Sequence, residues 1–145
     1  MEVMAKIDVA VATDLAPPQA WKLASDLHRF DEWLTIFGGW RSEVPDVIEA
    51  GTCVSSCIKV KGFRNIIHWQ VIRYEEPKRI EMSGAGRGGV RINLTIEVQD
   101  EPPGSRFRVL AELKGGLLGT RVGQLVARVL QSEVRKSVTN LAALR

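Results

Sequence analysis

The sequence predicts an α+β fold in which a strongly bent antiparallel sheet of about seven strands wraps around one long C-terminal helix. Three observations predict it. Strand-like alternation dominates residues 51–113, turn residues divide that region into short runs, and an apolar stripe at helical spacing occupies 118–144. At 145 residues the chain fits one domain around a single core, which we assign to residues 1–145.

The beginning of the chain predicts a strand and then a short helix. Residues 5–13 alternate apolar and polar side chains, as a half-buried strand does. Asp14 offers a cap for the helix, and Pro17-Pro18 suits its first turn, where missing amide donors cost nothing. We therefore expect a helix over 17–27.

A second short helix is predicted over residues 27–35. Ser25 and Asp26 precede it and can cap its free amide groups. Gly38-Gly39 follows and is expected to stop it. The two short helices after the first strand would plug the open side of the curved sheet.

The middle of the chain predicts an antiparallel meander, because short turns separate successive strands. Every second residue from Val90 to Val98 is apolar, so one face of that strand is covered and the other is wet. The strands that we assign are 52–60, 65–74, 78–83, 89–99 and 106–113, with a further short strand near 41–48.

The last segment predicts the helix that covers the sheet. Its apolar stripe consists of Val122, Val126, Val129, Val134, Val138 and Leu141. Gly119, Gly123 and Ala127 lie one turn apart near its start, either for close packing on the sheet or to leave volume for a ligand. A helix about 10 Å across inside such a sheet leaves an interior that is either filled by side chains or open.

The whole chain resembles the START-like helix-grip superfamily, also called SRPBCC. The resemblance rests on a strand, the helix pair "APPQAWKLASDLHRFDEW", the sheet segments "GTCVSSCIKVKG" and "WQVIRYEEPKRIEMSG", and a final long helix. More narrowly, "DEWLTIFGGWRSEVP" and "GAGRGGVRINLTIEV" look like an actinobacterial subgroup of polyketide cyclase/dehydrase-like proteins. One mycobacterial member of that subgroup is described as the toxin of a toxin–antitoxin pair.

The resemblance implies that a cavity between the sheet and the long helix holds a hydrophobic ligand such as a lipid or a polyketide-like compound. Most members of the superfamily catalyse nothing, and the sequence carries no catalytic motif. We therefore predict binding without catalysis. The expected lining is Trp33, Phe37, Trp40, Trp69, Met82, Val122, Val126 and Val129.

The aromatic residues between positions 30 and 40 allow two interpretations. Phe30 and Trp33 share one face of the predicted helix, which is typical of a plug in the core. Alternatively, Trp33, Phe37 and Trp40 form the lid and gate of the cavity, with Gly38-Gly39 allowing that segment to move.

Strand 65–74 leaves open which of its faces is inside. Strict alternation places Trp69 on one face, and His68 and Tyr74 on the other. We favour Trp69 inside, where it would form an aromatic wall. With Trp69 outside, His68 and Tyr74 would be polar groups of the cavity able to exchange protons.

Two further functions remain open. The first is an aromatic polyketide cyclase or dehydratase in which His68, Tyr74 or Arg91 acts as an acid or base, since orientation plus one such group can suffice. The second is a toxin-like protein neutralised by a small antitoxin-like partner encoded beside it.

Several classes of site are not expected. The "GAGRGG" stretch at 84–89 matches a dinucleotide-binding pattern, but a strand follows it instead of the helix that must receive the pyrophosphate. We therefore predict a hairpin turn and no cofactor. Cys53 and Cys57 lie about 13 Å apart along a strand, too far to bridge, and they fit no zinc spacing, so no metal is expected.

Charge and hydropathy restrict the partners. The net charge of +3 comes from 20 basic and 17 acidic residues spread along the chain, so no nucleic-acid partner is expected. No segment reaches the roughly 18 apolar residues of a membrane helix, and the N-terminus lacks the hydrophobic run of a signal peptide. We expect a cytoplasmic protein without stable membrane insertion.

Overall fold

A seven-stranded antiparallel sheet and a long C-terminal helix dominate the computed structural model, which describes residues 4–60, 62–115 and 121–144. The predicted α+β helix-grip fold is confirmed. Its elements are β1 (Met4–Thr13), α1 (Pro17–Ala24), a 3-10 helix (Leu27–Glu32), β2 (Phe37–Trp40), β3 (Cys53–Val60), β4 (Phe63–Glu75), β5 (Arg79–Ala85), a 3-10 turn (Arg87–Gly89), β6 (Arg91–Glu101), β7 (Gly104–Lys114) and α2 (Arg121–Ala143).

Strands β2 to β7 follow one another across the sheet as a meander, and β1 pairs with β7 at the edge opposite β2. The order across the sheet is β1-β7-β6-β5-β4-β3-β2, and every neighbouring pair is antiparallel. β1 pairs with β7 along its whole length, from Met4 opposite Lys114 to Thr13 opposite Ser105. The beginnings of β1, β4 and β6 therefore lie at the same end of the sheet as the ends of β3, β5 and β7.

Helix α2 packs its apolar face on the concave side of the sheet. Val134, Val138 and Leu141 are buried as the predicted stripe requires, and Val129 is half-buried. Thr13 Oγ1 donates a 3.0 Å hydrogen bond to the carbonyl oxygen of Ala142, which fixes the end of α2 beside the end of β1. Helix α2 therefore runs in the same direction as β1, and its beginning lies towards the end of the sheet where β1 starts.

Two details of the short N-terminal helices differ from the sequence prediction. The N-cap of α1 is Ala16 rather than Asp14, because Pro17-Pro18 supplies no amide hydrogen that needs a cap. The second helix is a 3-10 helix ending at Glu32, although Asp26 does cap it by accepting a 3.0 Å hydrogen bond from the amide of His28.

The strand predicted near 41–48 is wrong. The strand is Phe37–Trp40, so Gly38 and Gly39 lie inside it instead of only ending a helix. Gly39 adopts a φ of 105°, and the pairing of β2 with β3 shifts register there. The following residues 41–48 contain a proline and two acids and lie mostly exposed.

A bulge in β4 changes which side chains share a face. The pairing with β5 shifts between Val71 and Arg73, so Ile72 is exposed. Beyond the bulge Tyr74 returns to the inner face and makes an edge-to-face contact with Trp21, with ring centroids 5.5 Å apart. The strict alternation that grouped Tyr74 with His68 is therefore wrong.

The centre of β7 should dominate the stability of the sheet. Phe107 has no exposed surface, so Phe107→Ala should lower the free energy of unfolding by about 3–5 kcal/mol through lost burial and an unfilled void. Denaturant unfolding of the purified variant checks this value. The matched control is Ile72→Ala on the bulge, where a 53% exposed side chain should change stability by less than about 1 kcal/mol. Equal losses in the two variants would contradict the assigned core.

Candidate functional site

A cavity of about 580 Å³ lies between the concave face of the sheet and helix α2. Its wall is mainly aliphatic and aromatic and is contributed by β1, β3, β4, β6, β7, the 3-10 helix and α2. The helix and the sheet therefore do not fill the interior by themselves. The largest apolar contributions from the strands include Ile7, Ile58, Ile67, Trp69, Leu94, Ile96, Val109 and Leu113.

The eight residues predicted to bind a ligand divide into three groups. Trp33 and Trp69 lie in the cavity wall. Phe37, Trp40, Met82 and Val129 are buried or half-buried but lie outside the wall. Val122 and Val126 belong to α2, and their side chains lie outside the described part of the structure.

Most of the wall was not singled out from the sequence. Leu94 and Ile96 belong to the alternating strand whose covered face was recognised, and Val134 and Val138 belong to the recognised stripe of α2. That alternation was a usable signal for burial, but it does not separate a residue beside an open space from one packed in the core.

Of the small residues predicted near the start of α2, one lies in the cavity wall. Gly123 lies in the cavity wall, whereas Ala127 is half-buried and lies outside it. Gly119 lies outside the described residues. Gly123 therefore fits the interpretation in which small residues leave volume beside the helix.

The aromatic residues between positions 30 and 40 form one cluster around Phe30. The ring centroid of Phe30 lies 5.2 Å from that of Trp33, 6.3 Å from Phe37 and 5.7 Å from Trp40. Trp40 Nε1 donates a 3.0 Å hydrogen bond to the carbonyl oxygen of Leu27. Phe30 and Trp33 face the cavity, while Phe37 and Trp40 support them from behind.

Trp69 occupies a position that β5 leaves free for it. Its partner across the sheet is Gly84, where an added Cβ would lie only 2.7 Å from Cε3 of the indole ring. The indole Nε1 donates a 2.9 Å hydrogen bond to Oγ of the buried Ser56. The structure therefore places Trp69 inside, with its ring in the cavity wall and its polar atom satisfied.

The indole of Trp33, unlike that of Trp69, lacks a hydrogen bond. Its indole Nε1 is buried and has no hydrogen-bond partner within the described structure, although the side chain lies in the cavity wall. Its backbone is held against α2, since Asn140 Nδ2 donates a 3.3 Å hydrogen bond to the carbonyl oxygen of Trp33. A buried donor without an acceptor is unfavourable and is uncommon in native proteins.

The three candidate acid–base residues do not come together in the cavity. His68 and Arg91 border a separate depression on the outer face of the sheet, where His68 Nδ1 lies 2.8 Å from Ser55 Oγ. Tyr74 packs on Trp21 and lies outside the cavity wall. The chain therefore presents no convergent acid–base group from this set to a molecule bound inside.

Ion pairs on the outer face of the sheet neutralise many of its arginines. Arg108 donates hydrogen bonds of 3.0 and 2.7 Å to the two oxygens of Asp8. These bonds hold the pKa of the Asp8 carboxyl below its ordinary value. Arg79 lies 3.2 Å from Glu97 and Arg106 lies 3.0 Å from Glu101.

The part of the chain that the structure describes has neither a cluster of metal-ligating side chains nor a helix that could span a membrane. Within residues 4–60, 62–115 and 121–144, no three His, Cys, Asp or Glu side chains lie in an arrangement that could hold a metal ion. In the same part of the chain, no helix has both the length and the apolar character needed to cross a bilayer.

Comparison with known proteins identifies relatives over nearly the whole chain. Residues 4–144 match the family described as "Polyketide cyclase / dehydrase and lipid transport". "Toxin Rv0910" of Mycobacterium tuberculosis is 39% identical over 141 residues, which cover 97% of this chain and 98% of that protein. A second protein of the same organism, Rv1546, is 32% identical over 141 residues, covering 97% and 99% of the two chains.

Solved structures with low sequence identity share the fold. TTHA0849 from Thermus thermophilus superposes with a TM-score of 0.73 at 17% identity, covering 95% of this chain and 94% of that one. CV1439 from Chromobacterium violaceum gives a TM-score of 0.71 at 14% identity, covering 97% and 96%. These similarities establish the arrangement of sheet and helix.

The indole of Trp69 is hydrogen-bonded and that of Trp33 is not, so replacing each by phenylalanine should lower the free energy of unfolding by different amounts. In ligand-free protein, Trp69→Phe should reduce the free energy of unfolding by about 1–3 kcal/mol more than Trp33→Phe. Trp69→Phe leaves the buried Ser56 hydroxyl without its donor, whereas Trp33→Phe removes a donor that already lacks an acceptor.

Denaturant unfolding of both variants measures this difference, and their similar burial makes each the control for the other. The exposed fraction is 3% for Trp33 and 7% for Trp69. Equal losses of stability would contradict the assignment of Trp33 as an unsatisfied donor.

Proposed function

Because the chain belongs to the polyketide cyclase/dehydrase and lipid transport family, we propose that it binds a hydrophobic small molecule in the cavity between the sheet and α2. The proposed ligand is a lipid or a polyketide-like compound. No catalytic step is part of this proposal, because His68, Tyr74 and Arg91 do not converge on the cavity.

The observation that carries the proposal is the size and composition of the cavity. Its volume of about 580 Å³ falls within the roughly 300–1,000 Å³ typical of small-molecule sites. Its wall is predominantly apolar, and a wall of this kind gains free energy when it contacts an apolar molecule instead of water. A soluble protein that leaves such a space between its two layers has a physical reason to bind an apolar guest.

Filling the cavity should abolish binding without unfolding the protein. Ala111 lies in the wall on β7, so Ala111→Phe directs a large side chain into the open space. We expect a fatty acid or an aromatic polyketide to quench the tryptophan fluorescence of the natural protein. In the variant the affinity should fall at least about tenfold, while the free energy of unfolding falls by no more than about 1 kcal/mol.

The control is Ala12→Phe, which adds the same ring at an exposed position on the same sheet and should leave binding unchanged. Native mass spectrometry of protein purified under mild conditions provides a second measurement, because a co-purified apolar compound should be present in the natural protein and absent from Ala111→Phe. Unchanged affinity in Ala111→Phe would exclude this cavity as the binding site.

A second candidate function is toxicity that a small partner protein neutralises. The specific observation that favours it is the 39% identity, over nearly the whole of both chains, with a mycobacterial protein named a toxin. This toxin function does not require the cavity, since an antitoxin-like partner could bind the outer surface of the protein.

Expression in a mycobacterial host tests the toxin hypothesis. Induction should slow growth, and co-expression of a small protein encoded by an adjacent gene should restore it. A variant with Phe107→Ala serves as the control for protein burden, because its expected loss of about 3–5 kcal/mol lowers the folded fraction at the same level of expression. Normal growth at high levels of folded protein would reject this function.

A further inference from the structure

The outer face of the sheet carries a depression that the proposed function does not use. Its volume is about 400 Å³, and the polar side chains that border it are those of Ser42, Ser55, His68, Gln70, Ser83 and Arg91. Among the residues that the structure describes, no Asp or Glu borders it. Arg91 therefore gives the depression a positive charge.

Short side chains on β5 form the floor of this depression. Ala85 lies opposite His68 on β4 and opposite Arg91 on β6, and residues opposite each other in a sheet point to the same face. At the usual strand spacing the Cα atoms of His68 and Arg91 are about 10 Å apart, with only the methyl group of Ala85 between them. In the next row Ser83 lies opposite Gln70. A groove along β5 thus separates the longer side chains of β4 from Arg91.

Arg91 has no anionic partner, unlike the arginines at the other end of the groove. Glu81, the next outward residue along β5, lies 3.6 Å from Arg73 and 3.7 Å from Arg79. Within the described residues, the side chain of Arg91 forms no ion pair and no hydrogen bond, and its partner on β7 is Lys114. Like charges directly opposite each other destabilise a sheet, and an anion bound at Arg91 would relieve that repulsion.

Hydrogen bonds from β3 hold His68 beside the groove. Ser55 is opposite His68, and its Oγ lies 2.8 Å from Nδ1 of the imidazole. The amide of Ser55 donates a 2.9 Å hydrogen bond to Oγ of Ser42, so the serine is itself fixed. Because Ser55 occupies Nδ1, Nε2 is the ring nitrogen left for a ligand. When Ser55 Oγ donates to Nδ1, the hydrogen of the neutral ring is on Nε2, which can donate to an anion.

We propose that this depression binds the phosphate group of a small polar molecule. Arg91 is the anchoring cation, and His68, Gln70 and Ser83 supply further hydrogen bonds. A guanidinium group donates two parallel hydrogen bonds to phosphate oxygens. The volume of about 400 Å³ lies within the roughly 300–1,000 Å³ of small-molecule sites, which leaves room for the organic group that carries the phosphate.

The positions of the donors favour phosphate over carboxylate. A carboxylate has two oxygens, and Arg91 alone can satisfy both of them. A phosphate monoester has three terminal oxygens and nearly two negative charges, so it uses donors on both sides of the groove. This inference is independent of cavity binding, because the depression and the cavity lie on opposite faces of the sheet.

Titration of ¹⁵N-labelled protein followed by NMR tests the proposal. The probes are glucose 6-phosphate, glucuronate, inorganic phosphate and glucose, in about 0.15 M sodium chloride so that diffuse attraction between charges is screened. Glucose 6-phosphate should bind with a Kd below about 1 mM and shift the backbone amide signals of Ser55, His68 and Ala85. Glucose should shift none of them.

The other two probes identify the group that is recognised. Glucuronate has the same sugar ring with a carboxylate in place of the phosphate, and inorganic phosphate lacks the sugar. Each should bind about tenfold more weakly than glucose 6-phosphate. Equal affinity for glucuronate would overturn the preference for phosphate. Equal affinity for inorganic phosphate would overturn the assignment to a phosphate carried by an organic molecule.

Two pairs of variants locate the site. Arg91→Gln should weaken the binding of glucose 6-phosphate at least about tenfold, whereas Lys59→Gln, which removes an exposed cation outside the depression, should change it less than about twofold. Ala85→Ile should abolish binding by filling the groove, and isoleucine suits an exposed strand position. Ala12→Ile makes the same change at an exposed position of β1 and should leave binding unchanged.

The spectrum of each variant shows whether it is folded, so a loss of binding is not confused with unfolding. Equal losses in Arg91→Gln and Lys59→Gln would indicate diffuse attraction to a basic surface and would overturn the proposal. Unchanged affinity in Arg91→Gln or Ala85→Ile would also overturn it. Absence of binding by glucose 6-phosphate, or shifts confined to cavity residues such as Ile7 and Val109, would overturn this inference and leave cavity binding intact.

Discussion

The packing of one helix against the concave face of a seven-stranded sheet is the constraint on which the rest of the structure depends. A curled sheet of this width has more apolar inner surface than the face of a single helix can cover. α2 seals the sheet along β1 and β7, and Val138 and Leu141 are fully buried in that contact. Further along the sheet the two layers separate, and the cavity is the space between them.

The two ends of the cavity are built differently, and this difference gives it a direction. The end near Trp33 is closed by the aromatic cluster around Phe30 and by polar contacts between residues 33–35 and α2. The other end is formed by strand ends and the turn at Arg87–Gly89. An elongated molecule in such a space would lie against a predominantly apolar wall.

Membership of the family explains the architecture more completely than it explains the activity. The family description includes both cyclisation and lipid transport, and a relative at 39% identity is named a toxin, so the family permits several functions on one fold. The site itself narrows them. Its wall is predominantly apolar, and the acid–base candidates do not converge on it. Binding is the function that this chemistry supports most directly.

The sequence by itself determined the class of the fold and most of its strands. The alternation from Val90 to Val98 and the helical stripe ending at Leu141 are periodic patterns, and periodicity is a local property that burial on one face imposes. The resemblance of the whole chain to the helix-grip superfamily fixed the order in which those elements pack.

The tertiary structure alone decided which buried residues face open space. The bulge at Ile72 moved Tyr74 to the inner face, and Phe37 and Trp40 became the support behind Phe30 instead of cavity wall. The meeting of Ile7 and Ala111 in the cavity wall likewise requires the pairing of β1 with β7, which lie far apart in sequence. Periodicity records whether a side chain is shielded from water, but a cavity is defined by atoms that are missing, and only the complete packing shows where they are missing.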